Sequence, residues 1–201
     1  MNTSGYTISK KQRTDIKPIL VTIAIIMILS AIFIPIFLLT PFQEQFYKPE
    51  GTWVFEAPKS AYITFSTALA AAAVFIIAGV WLHSADKLGK LGKIIIGCGF
   101  LFSLATVILS FDYYHYIDKN GVHFNTLFSL QEKHYHWSDI KQARQTVKNE
   151  MGVMSDDKLI FTFKDGTNYE YLMNDNIRKA RSETNFELEE HGVELIRETL
   201  N

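Results

Sequence analysis

Three stretches of the chain carry no charged side chain: residues 18–43, 61–82 and 94–111. Each is apolar almost throughout, the pattern of a helix that is hydrophobic on every side and not of one with a single wet face. Residues 19–40 would make ~33 Å of helix, enough to cross a hydrocarbon core of about 30 Å. The pattern predicts three transmembrane helices at about 19–40, 61–82 and 94–111. The first run is longer than the apolar region of a cleaved signal peptide and ends in Leu38-Leu39-Thr40-Pro41, which favours an uncleaved anchor. Pro35 removes one backbone donor and predicts a kink.

After Phe111 the period changes, and short runs with alternating apolar positions are separated by turn signals, as in strands. Residues 113–118 and 122–129 flank Lys119-Asn120-Gly121, a hairpin signal. With Asn120-Gly121 as the turn, Ile117 pairs with Phe124, His115 with Thr126 and Tyr113 with Phe128. One face then carries Tyr113, Ile117, Val122, Phe124 and Phe128, and His123 lies on the other, opposite Asp118. Further strands are expected at 133–137, about 141–148, 158–163 and 167–173, with a loop at 149–157. A turn at Asp165-Gly166 pairs Phe161 with Tyr169 and Leu159 with Tyr171. Asn174 and Asp175 can cap a helix on which Ile177, Ala180, Thr184 and Leu188 share a face, with Gly192 as its stop. Residues 193–200 fit either more helix or a short strand. About six strands and a C-terminal helix suit a small, mainly-β barrel or bent sheet closed by that helix.

Charge separates the two halves and suggests an orientation. Residues 112–201 hold 11 Lys/Arg and 16 Asp/Glu, a local charge of −5 in a chain of −1. The expected organisation is a leader at 1–17, a transmembrane region at 18–111 and a soluble domain at 112–201. The leader carries four Lys/Arg and the 83–93 loop three, against two in the 41–60 loop and one, Lys119, in the first 20 residues after Phe111. The Lys/Arg bias therefore puts the leader and the 83–93 loop in the cytoplasm and the C-terminal domain outside, in a multi-pass plasma-membrane protein. Phe42, Phe46, Tyr47, Trp53 and Phe55 in the 41–60 loop are expected at the headgroup level. The alanine run 70–73, Gly79, Gly99 and Ser103 predict that spans 2 and 3 pack as a tight hairpin, a surface that also suits self-association.

Trp137-Ser138-Asp139-Ile140, with the run from Ile117 to Val122 and the run from Phe161 to Thr167, resembles the bacterial PH-like domains. These are attached to membrane spans in many small proteins of Gram-positive bacteria. The resemblance covers roughly residues 112–192 and implies a seven-stranded bent barrel with a C-terminal helix. Phosphoinositide-binding PH domains cluster basic residues around the first hairpin loop, and here that loop offers Lys119 alone, so headgroup binding is not carried over. Bacterial PH-like domains are also usually expected inside the cell, whereas the Lys/Arg count puts this one outside.

Chemistry is sparse. The spans contain no Asp, Glu, Lys, Arg or His, which argues against transport by this chain alone. Cys98, the single cysteine, excludes an internal disulfide and reads as a small packing residue. No nucleophile–base set, phosphate loop or paired catalytic carboxylates stands out, so no catalytic residue, resident metal or cofactor is assigned. A nucleic-acid surface would need a larger basic field than Arg144 and Lys148 provide. The one local enrichment is His115, His123, His134 and His136. His134 and His136 share a strand face, and His123 beside Asp118 forms a proton-sensitive pair. Asp118, His123, His134 and His136 are thus the candidate sensing or ligand residues. The expected function is a membrane-anchored, PH-like interaction or scaffold module that binds a protein partner at the lipid bilayer. The alternative is an extracytoplasmic pH or metal sensor built on the histidine-bearing hairpin.

Overall fold

The computed structural model describes residues 15–85, 89–129, 131–150 and 153–200. Most of the expected leader, Lys87, and Met151-Gly152 of the expected loop lie outside these residues. The chain folds into an apolar helical part and a β-rich part followed by short C-terminal helices.

Among the described residues the helical part holds two helices that are long and apolar enough to cross a membrane, α3 (Lys59–Ser84) and α4 (Lys90–Phe111). They pack against each other as a hairpin. Ala61, Phe65, Ala68 and Ala72 of α3 are buried at helical spacing, and Ser103 and Ser110 are buried on α4. A side chain at Gly99 would collide with the Phe75 ring, so glycine there is what lets the helices close. Cys98 does not join this packing: it is exposed on the outer side of α4.

The first apolar run does not form the expected continuous helix. It breaks into α1 (Ile16–Ser30) and α2 (Ile34–Phe46), bent by 72°. Pro35 explains the break. It cannot donate to the Ala31 carbonyl and its ring crowds that turn, so the ladder opens just upstream. At 15 residues α1 reaches only ~22 Å, so a third crossing exists only if the bent pair counts as one span. α1 lies along α3, whereas α2 turns across the end of the hairpin.

There α2 is riveted to the last turn of α4. The buried Gln43 amide donates to the carbonyls of Phe111 and Tyr113, both at 3.0 Å. These belong to or follow the helix end, whose carbonyls lack partners within the helix. Leu39, Ala61 and Phe65 form a small apolar cluster beneath it, with Phe111 and Tyr113 against it.

The β-rich part has two four-stranded sheets, ordered β1-β2-β3-β4 and β7-β6-β5-β8. β1 (Val54–Glu56) comes from before the hairpin and pairs antiparallel with β2 (His115–Asp118), which comes after it. The sheet's first strand therefore lies outside the 112–201 segment, and α3 and α4 are an excursion between two neighbouring strands. The aromatic residues expected at the headgroups mostly pack inward. Phe55 is buried in β1, Trp53 lies 6.1 Å from Trp137, and Tyr47 stacks on Tyr114; only Phe46 stays largely exposed.

β3 (Gly121–Phe124) pairs with β2 as Ile117↔Val122 and Asp118↔Gly121. The turn is thus Lys119-Asn120, displaced from the expected register by two positions. An even displacement keeps the paired residues on their expected faces, but β3 stops at Phe124, and Phe128, expected on the core face, is exposed beyond it. The Asp118 carboxylate fixes this register by accepting from the backbone of Asn120 at 2.8 Å and Gly121 at 3.1 Å. Gly121, at φ 147°, has no room for a side chain because the Tyr135 carbonyl of β4 (Lys133–His136) sits where a Cβ would be.

A 3-10 turn, Trp137–Asp139, leads from the first sheet into the second. Trp137 is buried there and its indole donates to the Asp118 carbonyl at 3.2 Å. β5 (Ile140–Glu150) and β6 (Val153–Phe163) are longer than expected and take up most of the expected 149–157 loop. β7 (Asn168–Leu172) pairs with β6 in the expected register, Phe161↔Tyr169 and Leu159↔Tyr171. Asn174 caps α5 (Asp175–Lys179), accepting from the backbone of Asn176 and Ile177. The expected single helix is two, α5 and α6 (Arg181–Glu190). Gly192 ends α6 in the left-handed region, with Val193 donating to Leu188 and Gly192 to Glu189. The chain then forms β8 (Leu195–Leu200), parallel to β5, which resolves the ambiguity at 193–200 as strand. Both sheets and both short helices share one core, which includes Ile117, Val122, Trp137, Phe161, Tyr171, Ile177 and Leu188.

Candidate functional site

Pleating puts alternate residues of β1–β4 on opposite faces. One face supplies the core. The other places Phe55, Tyr116, His123 and His134 in one cross-strand row, each directly paired with the next. The rings stack along that row. Tyr116 lies 4.2 Å from His123, and His123 lies 4.0 Å from His134, both within 8° of parallel. His136, two residues along β4, meets His134 edge-on at 4.2 Å. The expected set Asp118, His123, His134 and His136 is therefore brought together. His115 points to the opposite face and packs edge-on against Tyr171.

His123 is buried between two carboxylates. Its Nε2 is 3.3 Å from Asp118 Oδ1 and its Nδ1 is 3.0 Å from Glu132 Oε1. Glu132 also accepts from the hydroxyls of Tyr116 at 2.8 Å and Tyr114 at 3.0 Å. It sits two residues before His134, so the same alternation that put His134 and His136 on one face extends to it. Strand alternation was the available signal for Glu132; the pairing of Tyr114 and Tyr116 with it required the fold.

The arrangement counts protons. A neutral imidazole has one N–H donor, and two ionised carboxylates only accept. Both contacts of His123 are hydrogen bonds only when the unit holds one further proton. His134 feels the neighbouring rings. Partial burial, then the His123 and His136 rings, lower its pKa below the ordinary 6.5. The Tyr114 and Tyr116 hydroxyls are pushed up by burial and by Glu132, and so remain protonated donors. Burial likewise raises the Asp112 carboxyl, against a hydrogen bond from Asn125, with Glu132 adding to the rise.

Arg144 and Lys148, and the acids nearby, pair with each other across the second sheet. Asp156 lies 2.8 Å from Arg197 and Asp157 2.8 Å from Lys148. Arg144 faces Glu198 at 3.2 Å. Among the described residues no three His, Cys, Asp or Glu side chains converge as a metal-binding set. Comparison with family models, with curated proteins and with solved structures finds no match to this chain.

Proposed function

We propose that the chain is a membrane-anchored, proton-responsive interaction module without chemistry of its own. The observation that carries this reading is His123 held between Asp118 and Glu132, with Glu132 also bonded to Tyr114 and Tyr116. Tyr114 lies in the link between α4 and β2 and stacks on Tyr47, which ends α2. Protons gained or lost at the histidine row thus act on the two points where the sheet joins the helices. The groups facing the row are Asp118 and Tyr116 from β2, Glu132 before β4, and His134 and His136 from β4. The lack of a converging three-ligand set among the described residues favours protons over a metal as the signal.

The output, in this reading, is a protein partner docked on the β-rich part, with self-association through α3 and α4 as the second mode. The PH-like reading is supported by two sheets joined through a buried tryptophan corner and closed by helices. The orientation follows from the Lys/Arg count. β1 pairs with β2, so the 41–60 connection sits at the domain end of the hairpin and Lys90 and Lys93 open α4 at the far end. With the Lys/Arg bias, this arrangement supports an extracytoplasmic position for the domain at a plasma membrane.

The test is thermal unfolding of the full chain in lipid nanodiscs from pH 7.5 to 5.5, for wild type and His134→Gln. The wild type should lose stability on acidification relative to the variant. Identical pH dependence in the two proteins would overturn the proton-responsive reading.

A further inference from the structure

The opposite face of the same sheet borders a second, separate feature. A cleft of about 450 Å³ opens between the end of β1, the start of α3 and strands β6 and β7. Its lining includes Glu56, Lys59, His115, Asp156, Asp157 and Glu170. That volume falls in the range of small-molecule sites. Three of the four acids are neutralised by the chain itself: Asp156 by Arg197, Asp157 by Lys148 and Glu170 by Lys158. Glu56 is different. Among the described residues it meets no Lys or Arg, and its carboxylate is held by side-chain amides of Asn174 and Asn176 at the start of α5.

Beside it stands His115, 5% exposed. Its Nδ1 is 3.0 Å from the Tyr169 hydroxyl, and its Nε2 has no hydrogen-bond partner. That Nε2 faces Glu56 Oε2 at 3.9 Å, too long for a hydrogen bond. An Nε2–H would close on a carboxylate, because charge-assisted bonds are short and strong. The separation is that of two acceptors placed to share one donor. A tetrahedral nitrogen with N–H bonds can sit ~2.8 Å from both.

We infer that this cleft binds a ligand through a primary ammonium group, seated between Glu56 and His115. The ammonium supplies the N–H donors and the positive charge that Glu56 lacks. Lys59 lines the same cleft and is the first residue of α3, so a phosphate attached to the ammonium would find a cation at the membrane-facing rim. Two sources share this chemistry: an aminophospholipid headgroup and a soluble amine. The inference does not depend on the histidine row, since it uses the other face of the sheet.

The experiment uses the full chain in two kinds of nanodisc, one with phosphatidylcholine and phosphatidylglycerol and one with phosphatidylethanolamine added. Lipid retained by the protein is read by native mass spectrometry, and phosphoethanolamine is titrated into the first discs with thermal stability as readout. The choline headgroup has no N–H, so selective retention of phosphatidylethanolamine is expected, with Glu56→Gln weakening it about tenfold. A rise in stability with phosphoethanolamine alone, lost in Glu56→Gln, would support the inference and make the ligand a soluble amine. Equal retention of the choline and ethanolamine lipids with no response to phosphoethanolamine would overturn it. So would unchanged binding in a folded Glu56→Gln protein. Because His115→Phe removes a core contact, Lys59→Ala serves as the second variant, expected to weaken the phosphate-bearing ligands and to leave a plain alkylamine unaffected.

Discussion

His115 and His123 lie on the two strands of one hairpin, both buried and each beside a glutamate, yet they do different things. His123 faces outward into a ring stack, with a carboxylate at each nitrogen. His115 faces the core side, with one nitrogen at Tyr169 and the other unmatched 3.9 Å from Glu56. Strand parity separates them: a one-residue difference in phase sends one ring between two carboxylates and the other to a cleft wall. Burial and a nearby acid therefore do not define a histidine's role. What matters is whether the donors and acceptors around it balance.

The strongest way to break this contrast is to disturb the hairpin that holds both rings. Gly121→Ala forces a side chain against the Tyr135 carbonyl at a positive φ, and should cost about 2–4 kcal/mol in denaturant unfolding. The damage should fall on the β3–β4 contact, and so on the His123–His134 stack, before the His115–Tyr169 contact. A Gly121→Ala protein as stable as wild type would mean that β4 is not seated as described.

Next in size is the pair of glutamates. Glu132→Gln weakens an acceptor shared by Tyr114, Tyr116 and His123 and should cost ~1–3 kcal/mol. Glu56→Gln keeps an acceptor for the two asparagine amides and should cost less than about 1 kcal/mol. Thermal melts of the two variants at pH 7.5 compare them directly, and the reverse order would contradict the difference between a glutamate with three partners in the ring network and one held by two amides.

The pH dependence is smaller. His134 takes up a proton less readily folded than unfolded. Its contribution is full above about pH 6.5, the unfolded value, and is lost as pH falls through the lowered folded value. Replacing it with Gln should flatten that part of the curve. Asp112 has the opposite sign. Its carboxyl is raised above 3.8, so stability falls as pH rises through that window, and Asp112→Asn should be slightly more stable than wild type at pH 7.

Much of this was legible in the chain because alternation and turn chemistry are local. The β6–β7 register, the Asn174 cap and the Gly192 stop follow from local turn and cap chemistry, whereas the stacking of His134 on His123 needed the β3–β4 pairing. The hairpin register missed by two because Asp118 captures the Asn120 and Gly121 amides, moving the turn one residue back. β1 was hidden because three residues in an aromatic loop carry no strand period of their own; only pairing with β2 across the helical excursion makes them a strand. Pro35 predicts a kink but not its size of 72°, since it marks where a ladder opens and not how far the packing of α2 against α3 and α4 will bend it. The Glu56–His115 pairing lies beyond sequence reading for the same reason as β1.

The most direct test of the central claim is hydrogen exchange of the full chain in nanodiscs at pH 7.5 and 5.5, corrected for intrinsic rates, for wild type and Glu132→Gln. Wild-type protection should change with pH in β2–β4 and in the last turn of α4, and stay constant around α5 and β7. In Glu132→Gln the change in the last turn of α4 should disappear, because Glu132 links His123 to Tyr114. A change spread evenly over the whole domain, or one that persists at the end of α4 in Glu132→Gln, would contradict the claim that the histidine row senses protons and acts on the junction with the helices.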